Sequence, residues 1–166
     1  MNAEELRAIQ APIKERYKSE PESALVTLRA EATTEEGISC SVDTGRGLVE
    51  AGFHSGTGGD GSLACSGDML LQALVACAGV TLRAVATAIG VDLRSARITA
   101  EGDLDWRGTL GVSKEVPVGF KEIRLRFALD SNATEEQKAT LLKLTERYCV
   151  ILQTLRQSPP VTASIG

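Results

Sequence analysis

A chain of 166 residues has room for one ordinary domain around a single hydrophobic core. With 43% hydrophobic and 24% charged residues it has a soluble globular composition, and its aromatics (one Trp, two Tyr, three Phe) are too few for a base-stacking surface. A net charge of −4 argues against tracking phosphates or anionic lipid, so neither nucleic acid nor membrane is an expected partner.

The opening segment MNAEELRAIQ carries acids where a signal peptide needs a basic and then an apolar region. The longest uncharged stretch in mid-chain, Met69 to Leu82, has 14 residues, and a bilayer needs roughly 17 to 25. Four cysteines without a secretory signal predict reduced thiols in a cytoplasmic protein. They stand at 40, 65, 77 and 149 with no CxxC pair, and His54 is the only histidine, so no metal site is expected. A Ser-His-Asp triad would need His54, which has no GxSxG elbow beside it.

Residues 1–21 read as a helical arm, with Leu6, Ile9, Ile13 and Tyr17 on one stripe, Asn2 as the cap and Pro12 as a kink or a break. Residues 22–166 read as one domain. Ala24, Val26, Leu28, Ala30 and Ala32 alternate in a first strand, TTEEG turns, and Ile38, Cys40 and Val42 mark a second. DTGRG leads to a third strand from Leu48 to Phe53, so an antiparallel meander is expected. GFHSGTGGDGSLACSG, residues 52–67, matches no phosphate-binding loop. It reads either as a flexible connector or as a mobile border to an active site, with His54 as a solvated loop residue or a member of a pocket rim.

A helix capped by Ser66, with Asp68 in its first turn, is predicted to run to Gly90. It is apolar on every face as far as Arg83, so it needs burial on every face, and a second subunit is the natural way to supply that. Ala96, Ile98, Ala100, Leu104 and Trp106 alternate in a long strand with Gly102 as a bulge, and Ile123, Leu125, Phe127 and Leu129 in another. Thr134-Glu135-Glu136-Gln137 is a capping box opening a helix with Leu141, Leu144, Tyr148, Ile151 and Leu155 inward. Pro159-Pro160 ends that helix, and VTASI reads as a closing strand. The element order is that of an α+β fold.

Cys77 in the apolar helix and Cys149 in the amphipathic one have two readings. Each is either a small buried hydrophobe or half of a reactive and resolving pair. Spacing alone does not decide between them, and nine residues beyond Asp68 the dipole of its own helix gives Cys77 little. Asp68 itself reads either as a dipole complement or as a site residue.

SGDMLLQALVACAGVTLRAVATAIGV resembles the central helix of the OsmC/Ohr family of thiol peroxidases, and ERYCVILQTLRQSPPV resembles that family's second cysteine motif, in which a short helix follows the cysteine. GTGGDG and GFKEIRLRF are similar to further family segments, and the resemblance covers roughly residues 22–166. It implies an intertwined homodimer wrapped around two central helices. It also implies that Cys77 takes oxygen from an organic hydroperoxide, that Cys149 resolves the sulfenic acid to a disulfide, and that an external dithiol restores both. No metal, haem or flavin is implied. Asp68 falls near the family's glutamate. The family's arginine in the first turn has no counterpart in TTEEG, so Arg29, Arg46 and Arg83 are the remaining basic candidates, the last a partner for an acid. Cys65 is an alternative resolving thiol, and Cys40 reads as structural. The rival function is an OsmC-fold dimer that binds an apolar or acyl ligand, with its cysteines sensing or inert.

Overall fold

The computed structural model describes residues 2–19, 31–34, 39–43 and 48–165. Helix α1 (Ala3–Ser19) starts at a reciprocal cap in which Glu5 N–H donates to Asn2 Oδ1 and Asn2 N–H to Glu5 Oε2, both at 2.9 Å. Pro12 lies inside α1 and does not divide it, since proline removes only one of the hydrogen bonds of a helix this long.

Strands β1 (Glu31–Thr34), β2 (Ser39–Asp43) and β3 (Leu48–Gly52) form an antiparallel meander in the order β1-β2-β3. Thr33 and Thr34 continue β1 instead of opening the expected turn, and Ala24, Val26, Leu28 and Ala30 of the expected first strand lie outside the described residues. Cys40 in β2 stands opposite Thr34 and Ala51 in the register. Residues 20–30, 35–38 and 44–47 lie outside the described residues, and with them Arg29, Arg46 and most of TTEEG.

The glycine-rich segment is folded. A 3-10 turn at Ser55–Thr57 is capped by His54, and Ala64 pairs beside β3 through Gly52 N–H to Ala64 C=O and Ala64 N–H to Glu50 C=O, each 3.0 Å. Helix α2 (Ser66–Ile89) follows. Its first helical bond runs from Met69 N–H to Cys65 C=O at 3.0 Å, so the cap position falls on Cys65, one residue before the expected Ser66. Gly90, at φ 72°, closes the helix as predicted.

Strand β4 (Leu93–Asp103) pairs with β5 (Glu122–Ser131). Trp106 is not in β4. It opens a short helix, α3 (Trp106–Thr109), capped by Asp105, because an apolar-polar alternation continues past the point where the strand stops. Gly102 lies within β4, and a Cβ there would lie 2.6 Å from Cδ1 of Phe120, which accounts for the glycine.

Helix α4 (Glu135–Tyr148) has the predicted capping box, with Gln137 N–H donating to Thr134 Oγ1 and Thr134 N–H to Gln137 Oε1. The single helix expected from periodicity breaks at Cys149 and restarts as α5 (Val150–Arg156). Tyr148 points outward, 57% exposed, with the Arg147 guanidinium 5.4 Å from its ring centre. No strand forms over 157–165. A strand needs a partner edge, Pro159 and Pro160 offer no N–H, and Val161 and Ile165 are exposed.

These elements group into two compact units. One comprises Met1–Lys14, Ala73–Thr99 and Arg126–Gly166; the other comprises Glu15–Gln72 and Ala100–Leu125. In the first, the stripe Leu82, Val85 and Ala86 of α2 packs with Val91, Leu93 and Leu141, flanked by Ile98, Phe127 and Leu144. Arg83 finds carbonyls rather than the expected acid, donating to Leu93 C=O and, at 3.3 Å, to Arg94 C=O. By length and composition α2 could cross a bilayer, but its packed stripe is that of a core helix. Its burial is one-sided, since Leu74, Ala78 and Leu82 are buried while Val80 is 73% exposed.

Candidate active site

Cys77 is half-buried on α2, and Thr81, one helical turn later, is on the same side. Cys149 is fully buried at the joint between α4 and α5, with extended angles of φ −73° and ψ 105°. Its N–H closes α4 on Thr145 C=O, and its C=O receives Gln153 N–H, both at 2.9 Å. Two side chains hold the joint. Gln153 Nε2 donates to Glu146 C=O at 2.7 Å, and the Arg156 guanidinium pairs with the Glu146 carboxylate at 3.0 Å. Because the helix restarts, the N–H groups at the head of α5 have no helical acceptor.

Those donors meet the sulfur of Cys77. Burial is the strongest single influence on this thiol and opposes ionisation. Hydrogen bonding from Ile151 N–H, the Cys149 thiol, the Thr81 hydroxyl and Val150 N–H outweighs it and holds Cys77 below the ordinary thiol range. Cys149 moves the other way, pushed up by burial and by the negative charge forming on Cys77. The pair therefore ionises in order. Of the two thiols, Cys77 is the more readily ionised. Such a pair is poised for nucleophilic attack followed by closure to a disulfide.

The activating groups were not read from the sequence. Two of the donors, Val150 N–H and Ile151 N–H, come from the start of a different helix. A threonine four residues after a helical cysteine is the local signal that carried part of this. Asp68 is exposed in the first turn of α2, nine residues and about 13.5 Å of helical rise before Cys77, so it does not touch that sulfur.

Asp68 instead belongs to a second feature. A cavity of about 350 Å³ in the second unit is walled by His54, Trp106, Phe120, Leu71 and Leu104, with Cys65 and Asp68 also facing it. A smaller one of about 260 Å³ shares His54, Cys65 and Asp68. The ring of His54 stacks on Trp106 with centroids 5.0 Å apart and planes 23° from parallel. Gly56 N–H donates to His54 Nδ1 at 2.9 Å, so the neutral ring carries its proton on Nε2. His54 is thus an ordered, half-buried part of the cavity wall rather than a solvated loop residue. No cluster of metal-ligating side chains occurs among the described residues.

The sequence profile of the OsmC-like protein family matches residues 59–164, well over half of the chain. The chain belongs to the OsmC-like family. Both cysteines and Asp68 fall within the matched stretch, as do α2 and the α4–α5 joint. Solved structures share the α+β fold. An OsmC-like protein of Mycoplasma pneumoniae superposes with a TM-score of 0.67 at 16% identity, over 80% of this chain and 89% of its own. An organic hydroperoxide resistance protein of Elizabethkingia anophelis gives 0.66 at 20% identity, over 81% and 91%. One of Legionella pneumophila gives 0.62 at 22% identity, over 81% and 92%. No curated protein matches the sequence.

Proposed function

We propose that this OsmC-like protein is a cytoplasmic, homodimeric thiol peroxidase for organic hydroperoxides, with Cys77 as nucleophile and Cys149 as resolving thiol. The observation that carries the reading is the reduced Cys77–Cys149 pair with opposed acidities. The Cys77 thiolate attacks the distal peroxide oxygen, the O–O bond breaks, and the leaving alkoxide takes a proton to become the alcohol. Cys149 then attacks the sulfenic sulfur, water leaves, and a disulfide forms, which an external dithiol reduces. The reaction draws its electrons from thiols alone. The similarity of the fold to organic hydroperoxide resistance proteins supports the substrate class. The dimer is supported by the uncovered stripe Ala73, Ala76 and Val80 on α2.

Intact mass after one equivalent of cumene hydroperoxide tests the reading. Loss of two hydrogens, mapped to Cys77–Cys149 and abolished in Cys77→Ser, is the expected result. An unchanged mass, or steady turnover in Cys77→Ser, would overturn it and turn attention to ligand binding.

A further inference from the structure

The lining of the aromatic-walled cavity in the second unit includes neither Cys77 nor Cys149. Two glycines fix its walls. A Cβ on Gly56 would lie 2.9 Å from Cδ1 of Trp106, and one on Gly102 2.6 Å from Cδ1 of Phe120, so both rings are seated by close backbone contact. The rings are therefore held in place before any ligand arrives, which lowers the ordering cost of binding.

The charge of the lining has one sign. Among the described residues, Asp68 and Asp103 face the cavity and no lysine or arginine does. Asp103 is answered by Arg124, but Arg124 also serves Glu101 and Glu122, and Lys121 is the other nearby cation. Asp68 makes no ion pair or hydrogen bond among the described residues. The start of α2 contributes only about half a positive charge, which the full charge of Asp68 outweighs. A carboxylate or phosphate ligand would be repelled here. A cation with an apolar body would be drawn in by Asp68 and by the faces of the rings.

We propose that this cavity is a binding site for a small organic ammonium ion carrying an aromatic ring. Its volume of about 350 Å³ lies at the small end of ligand sites, which suits a single-ring amine. The ring lies against Phe120 and Trp106, and the ammonium group faces Asp68.

Trp106 is the only tryptophan, so its emission reports on the cavity directly. Reduced protein and the Cys77→Ser variant are titrated with 2-phenylethylammonium at pH 7, and in parallel with phenylacetate, which has the same ring and the opposite charge. The expected result is a saturable emission change with the amine only, in both proteins, weakened about tenfold in Asp68→Asn. An equal response to phenylacetate, no saturable response to the amine, or unchanged affinity in a folded Asp68→Asn protein would overturn the site. Because Cys77→Ser is included, the outcome is independent of the peroxidase reading.

Discussion

The thiols of Cys77 and Cys149 influence each other's ionisation and are shifted in opposite directions, Cys77 down and Cys149 up. That asymmetry supports Cys77 rather than Cys149 as the nucleophile of the proposed reaction. It also fixes a pH dependence. Thiolate is the reactive species, so Cys77 gains reactivity as pH rises through its lowered pKa, while Cys149 lags. Iodoacetamide labelling followed by peptide mass should show Cys77 modified first at every pH from 6 to 9. In Cys149→Ser, Cys77 should still react once with peroxide and then over-oxidise, since no resolving thiol remains.

Thr81 acts on the reaction through Cys77. Its hydroxyl is one of the neutral donors that offset the cost of burying the thiolate. Thr81→Val keeps the shape and removes the donor, so the Cys77 pKa should rise and peroxide oxidation at pH 7 should slow roughly three- to tenfold. The rates of variant and parent should converge at high pH, where both thiols are ionised. A uniform loss at all pH values would make Thr81 a packing residue only.

Local chemistry was legible wherever one or two residues decide the outcome. Thr134 and Gln137 form their box, Gly90 ends α2, and β5 alternates as read. Periodicity hid the break at Cys149, because Leu141, Leu144, Ile151 and Leu155 keep helical period straight across it, and only the resemblance to the family's second cysteine motif implied it. What stabilises the joint is Gln153 and Arg156 folding back on Glu146, a tertiary return that no period reveals. Thr145 adds to it by donating to Leu141 C=O at 2.7 Å, a back-bond that bends helices. The aromatic cavity was hidden for a similar reason. Trp106 looked like the next residue of a strand, and only the turn at Asp105 brings it onto His54.

Gly102 is a test of close packing. Gly102→Ala places a methyl against the Phe120 ring and should destabilise the protein by about 1–3 kcal/mol, as over-packing does. Phe120→Leu in the same chain should recover part of that loss, because the flexible side chain yields where the ring cannot. Urea denaturation of the two single variants and the double variant measures the coupling. Strict additivity would mean that the ring and the strand do not press on each other.

Asp105 links acidity to the Trp106 wall. The Arg107 guanidinium is the main cause that lowers its carboxyl to about 2, and Arg107 N–H adds to it. A depressed carboxyl contributes stability that is present above its unfolded pKa of about 3.9 and is lost as pH falls towards 2. Trp106 emission should therefore change between those values. In Asp105→Asn, which retains a capping side chain without the charge, that step should disappear. A step of unchanged size in the variant would assign the transition to other carboxylates.

The uncovered face of α2 carries the last prediction. Val80 is 73% exposed in the single chain, on one stripe with Ala73 and Ala76, and a charge there costs an isolated protomer little. If two copies meet through this stripe, Val80→Glu places two carboxylates in an apolar interface, a desolvation cost that nothing on the stripe offsets. Light scattering on the eluting protein should give a dimer for the parent and a monomer for Val80→Glu, with helix content retained. The Cys77–Cys149 pair lies within one chain, so the first oxidation by cumene hydroperoxide should survive in that monomer if the partner only buries α2. It should fail if the partner also shapes the substrate site. A Val80→Glu dimer would move the interface elsewhere and leave the apolar stripe of α2 in need of another cover.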